Sequence, residues 1–129
     1  MKTTMMLALA GALSLIAVQA NAADAKGEIV TAETHAGLAA KATAIDGVHM
    51  HLHHTLNCLV GPSGTGFDAK QMNPCANSGN GAIPDTTDAA KKKSLEAAAA
   101  KATTGIAATD LAAAQKDASE TEAMLKAAE

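Results

Sequence analysis

EIVTAETHAGLAAKATAIDGVHMHLHHTLNCLVGP, residues 28–62, carries a helical period to an abrupt stop. Leu38, Ala42, Ile45, His49, Leu52, Leu56 and Leu59 recur in alternating steps of four and three, which sets them along one helical stripe. Gly61-Pro62 ends it, since glycine takes the left-handed cap and proline cannot continue the ladder. The spacing therefore predicts one long helix over about 28–60. Gly37 and Gly47 weaken it by about 1 kcal/mol each relative to alanine.

Downstream, residues 61–84 have no period and are dense in Gly, Pro, Asn and Ser, so they read as a long connection. Connections of this length are uncommon unless constrained or functional. Cys58 and Cys75 supply a constraint. Pairing them closes a loop worth about 3 kcal/mol in the chain-entropy model. Phe67, Met72 and Ile83 are expected to plug the helix ends. A second helix is expected over about 86–127. Asp85, Thr86, Thr87 and Asp88 offer N-caps, while Gly105 and its neighbouring threonines mark a bend or a break. The fold class is all-α: an antiparallel hairpin of two long helices with a disulfide-clipped loop. A homodimer forming a four-helix bundle would cover the stripes that a lone hairpin exposes.

Upstream, residues 1–22 read as a cleavable signal peptide. Lys2 precedes an apolar run from Met5 to Val18, and Ala20-Asn21-Ala22 gives the small-x-small cleavage pattern. The mature chain is then a single helical domain, 23–129, exported to an oxidising compartment such as the periplasm, where Cys58 and Cys75 would pair. After cleavage no segment approaches the ~20 apolar residues of a membrane span.

Composition excludes several functions. Alanine accounts for 33 of the 129 residues, and the chain has one Phe and no Tyr, Trp or Arg. Apolar pockets need bulkier walls, so an enzyme with a deep substrate pocket is not expected. Nucleic-acid binding is disfavoured by the acidic balance and by the lack of arginine forks and aromatic platforms. Ser63, Ser78, Ser94 and Ser119 lack a nucleophile-elbow context. Haem is disfavoured by the missing C-x-x-C-H and the poor aromatic content.

The informative chemistry is histidine. All five histidines fall in the first expected helix, four of them within His49-Met50-His51-Leu52-His53-His54. On one continuous helix Asp46, His49 and His53 stand at i, i+3 and i+7 on the shoulder of the stripe, and His51 and His54 form an i, i+3 pair opposite. Imidazoles one turn apart can bring two nitrogens onto one cation, and a carboxylate can ligate or orient them. His49 and His53 are thus the expected primary ligands, with Asp46 and Met50 in support and His51 with His54 as a second, weaker site. His35 is read as an ordinary seam histidine. Glu96 would lie level with His49 across the hairpin. Several imidazoles with a thioether suit copper first, by affinity order, then zinc or nickel. The motif lacks the glutamate that follows the first histidine of a zinc-protease helix, so hydrolysis by that route is not supported.

In general character the chain resembles small exported His-rich helical proteins that bind or buffer transition metals. The expected role is copper storage, delivery or tolerance. The alternative is a helical interaction module without metal, docking through its Ala/Leu stripe.

Overall fold

The computed structural model describes residues 23–129, so the expected signal segment at 1–22 lies outside the described residues. It is all-helical: α1 Ala25–Lys41, α2 Ile45–Val60, a single turn α3 Ala82–Asp85, α4 Ala89–Ala107 and α5 Leu111–Ala127. Each of the two expected long helices is divided. α1 lies against α2 and α5, and α4 lies against the same two, so the four long helices form a ring within one chain. The apolar stripes meet inside that ring, where the helices of one chain cover one another. No described helix is long and apolar enough to cross a membrane.

The first division falls at Ala42-Thr43-Ala44. Ala42 and Ala44 are both extended, and the Ala42 N–H closes the last turn of α1 on the Ala39 carbonyl. No glycine or proline dictates this. The Ala42 carbonyl, released from the helical ladder, accepts from Gln115 Nε2 of α5 at 2.8 Å. A tertiary contact thus satisfies an end that would otherwise be orphaned. The second division, at Ala108-Thr109-Asp110, is better marked in sequence. Asp110 caps α5 by accepting the Ala113 N–H at 2.9 Å, and the Ala108 carbonyl accepts from His49 Nε2 of α2.

The core forms two alanine-rich clusters. Ile29, Ala32, Ala36, Leu56, Leu59, Leu95, Ala98 and Leu125 pack beside the disulfide at one end. Ala39, Val48, Leu52, Ala102, Ala114 and Ala118 fill the other. On α1 the buried stripe is Ile29-Ala32-Ala36-Ala39, whereas Leu38 is 45% exposed. Ending α1 at Lys41 removed the need to keep Leu38 in line with Leu52 and Leu56. A Cβ on Gly105 would stand 2.6 Å from Leu52 Cδ1, so glycine there lets α4 approach α2 closely. Lys101 fastens α4 to α5 through Glu120 at 2.9 Å and Asp117 at 3.5 Å.

The loop after α2 is held twice. Cys58 and Cys75 are disulfide-bonded. The buried Asn57 amide also donates to the Asp68 and Met72 carbonyls and accepts the Asp68 N–H. Gly61 stops α2 as its sequence implies, with φ 68° and its N–H on the Asn57 carbonyl. Of the expected plug, Ile83 packs on the core whereas Met72 is 64% exposed. Asp88 is the N-cap that α4 uses, accepting the Lys91 N–H.

Candidate metal centre

The turn at 42–44 folds α2 back along α1, and this decides which histidines meet. The Thr55 hydroxyl stands 3.1 Å from both the Ala32 carbonyl of α1 and the His51 carbonyl of α2, fixing the register of the pair. One turn further along α1, His35 faces His51 and His54. Ligand nitrogens of all three rings lie within 4.8 Å of one another. Nδ1 of His35 and Nδ1 of His51 are 3.4 Å apart. The ring centroids are separated by 5.1 to 5.7 Å, and His54 stands edge-on to both neighbours.

These distances suit a cation. Nitrogens bound at 2.0–2.1 Å to one tetrahedral ion stand roughly 3.3 Å apart. The His35–His51 pair already has that spacing, and the widest separation needs to close by at most roughly 1.5 Å, within reach of modest side-chain rotation. His54 is buried, and its Nδ1 has no hydrogen-bond partner. An unpaired buried polar atom is costly, so an occupant that accepts or supplies a bond there is favoured.

Burial and neighbouring charge favour the ligand form of His35 and His54. Burial pushes the His35 imidazole below its ordinary range, and the neighbouring His54 and His51 push it further. His54 is lowered by burial first, then by His51 and His53. Neutral imidazole binds metal and imidazolium does not, so these shifts reduce proton competition.

The expected primary set does not converge. His49 donates its Nε2–H to the Ala108 carbonyl at 2.9 Å, which makes it a helix-end clasp. His53 turns to the loop, where its Nδ1 is 3.7 Å from Asp68 Oδ2. Asp46 and Met50 are exposed, as is Glu96, and no carboxylate joins the three clustered rings among the described residues. His51 and His54, placed second in the sequence reading, belong to the cluster, and His35 is the member that reading missed. The cause is the turn: on a continuous helix His35 shares a side with His49, whereas in the folded hairpin it lies across from His51. Both cysteines are held in the disulfide, so neither offers a thiolate. Compared with known proteins, the chain matches no family model, no curated sequence and no solved structure.

Proposed function

We propose that this chain is an exported transition-metal-binding protein whose site is the His35, His51 and His54 cluster, with copper as its first cargo and zinc or nickel next. The observation that carries the reading is the approach of three imidazoles from two helices, one of them with a buried nitrogen left without a partner. Three nitrogen donors without a thiolate favour a divalent ion, and the affinity order places copper above nickel and zinc. Met50 stands one turn before His54 and is the soft donor available by helical position should the ion be reduced. Three protein ligands leave room for a further ligand on the metal, which suits storage and hand-over to another carrier. The absence of a carboxylate orienting the rings, among the described residues, points the same way, since such outer partners raise affinity about 10–100-fold.

The export reading comes from the leader-like first 22 residues, and the disulfide agrees with an oxidising compartment. The test is elemental analysis of untagged protein recovered from the periplasm, beside a variant with His35, His51 and His54 all changed to Ala. One equivalent of metal per chain, absent from the variant, supports the reading. Metal-free protein that also fails to take up copper, zinc or nickel in titration overturns it and favours the interaction module.

A further inference from the structure

At the opposite end of α1 from the Lys41 turn, a carboxylate is buried where water cannot reach it. Glu28 is fully buried beside the disulfide end of the core. Its Oε1 accepts the Gly81 N–H at 3.0 Å, while Oε2 has no partner. Asp85 of α3 accepts the adjacent Asn80 N–H on Oδ2 and the Asn80 side-chain amide on Oδ1 at 3.1 Å. Two carboxylates are therefore drawn onto consecutive backbone amides, and a Cβ on Gly79 would crowd both, at 2.1 Å from Asp85 Oδ2 and 3.0 Å from Glu28 Oε1. With Glu28 fully buried, a second carboxylate at this point favours the protonated form of Glu28.

We propose that Glu28 and Asp85 share one proton and form a proton-operated latch that fastens the start of α1 to residues 79–81 at the end of the disulfide-clipped loop. In the closed latch Glu28 is the acid and its O–H donates to the Asp85 carboxylate. On opening, that proton passes to water and both groups are anionic.

The charges acting on Glu28 agree with this assignment. Its pKa is raised to about 7, chiefly by burial; the Gly81 N–H opposes the rise, and the Asp85 carboxylate, then Asp24, add to it. Lys26, Asp88 and Lys91 line the adjoining surface cleft with Asp85, and the charged groups that act most strongly on Glu28 are Asp85 and then Asp24. The loop contributes no titrating group at this point, because Cys75, whose sulfur lies against the Glu28 carbonyl, is held in the disulfide. The sign follows from linkage. The folded state keeps a proton that the unfolded state releases, so the stabilisation is complete at acid pH and is lost as pH rises towards 7.

The test is a carboxyl-carbon NMR titration of the full mature chain, with hydrogen exchange at the Gly81 amide followed in the same samples. The expected result is a Glu28 midpoint near 7, as its burial and neighbours dictate, with Gly81 exchange accelerating through the same midpoint. Glu28→Gln keeps an acceptor for Gly81 and a donor for Asp85. It should remove a rise in the unfolding constant of up to roughly a hundredfold that the unsubstituted chain shows between acid and neutral pH. Asp85→Asn should lower the Glu28 midpoint, a readout that does not depend on the first variant folding. A Glu28 midpoint in the ordinary carboxylate range overturns the latch. So does a midpoint driven down by millimolar calcium, which would make the pair a cation site.

Discussion

His49 donates its Nε2–H to the carbonyl oxygen of Ala108, at 2.9 Å and across 59 positions of sequence. The bond closes the end of α4 from the neighbouring α2, as Gln115 closes the end of α1 from α5. Each break between long helices is thus capped by a side chain from the other half of the chain. This divides the histidines by task, with His49 clasping helices and His35, His51 and His54 gathering donors.

His49→Ala should therefore cost stability and spare the site. Losing the bond and leaving the Ala108 carbonyl half-exposed should cost about 1–2 kcal/mol in urea unfolding. Metal stoichiometry should stay at the unsubstituted value. Loss of metal with unchanged stability would return His49 to the ligand set.

His35→Ala should do the reverse. Removing one of three nitrogen donors is expected to weaken copper or zinc binding at least tenfold, about 1.4 kcal/mol in calorimetric titration. His53→Ala should leave it within a factor of about two or three, since His53 faces Asp68 and not the cluster. Equal effects of the two substitutions would contradict the placement.

The pH dependence has two components of opposite sign. His35 and His54 are held below the ordinary histidine value of 6.5 by burial first, with His54 and His51 acting on His35, and His51 and His53 on His54. Below 6.5 the unfolded chain takes up protons that these folded rings refuse, so the metal-free protein loses stability as pH falls from there. Glu28, raised to about 7, adds stability in the acid direction. Unfolding curves of the Glu28→Gln chain should therefore show falling stability on acidification below 6.5 more steeply than the unsubstituted chain. A triple substitution of His35, His51 and His54 by Ala should flatten that limb. Metal should be retained to lower pH than an exposed histidine pair allows, and an affinity that does not change with pH would exclude imidazole ligation.

Much of this architecture was legible in sequence, and the missing part has a physical cause. The stop at Gly61, the Cys58–Cys75 bridge and the Asp88 cap are signals carried by the residues themselves, each tied to a backbone or covalent requirement. The break near Gly105 is legible because a glycine and neighbouring threonines, all weak helix formers, interrupt an alanine-rich run there. The break at Ala42-Thr43-Ala44 is different. Alanine and lysine there favour helix, and the turn is secured by Gln115, 73 positions away. Asp46, an acid in the first turn of α2, was the one local hint of a new helix start. Without that turn, helical periodicity sets His35 on the side of His49 but about four turns away, and the donor set comes out as Asp46, His49 and His53. The histidine-rich segment was recognisable as a metal-binding candidate, but its partner on α1 depended on a contact that periodicity does not encode.

Reducing the disulfide should separate the loop from the site. Replacing Cys58 and Cys75 by Ala should lower stability by about 3 kcal/mol in the chain-entropy model. Asn57 still holds residues 68 and 72, and the α1–α2 pair still carries the three rings. Metal affinity of the folded fraction should then be unchanged. A folded, reduced chain that no longer binds metal would show that the loop shapes the site.

The most direct test is X-ray absorption on the chain loaded with one equivalent of copper, and separately of zinc. Three imidazole nitrogens at about 2.0–2.1 Å should appear in the first shell. Single substitutions of His35, His51 or His54 by Ala should each reduce that count, while His49→Ala leaves it intact. A first shell that loses a nitrogen on His49→Ala or His53→Ala, and is indifferent to His35, would contradict the account.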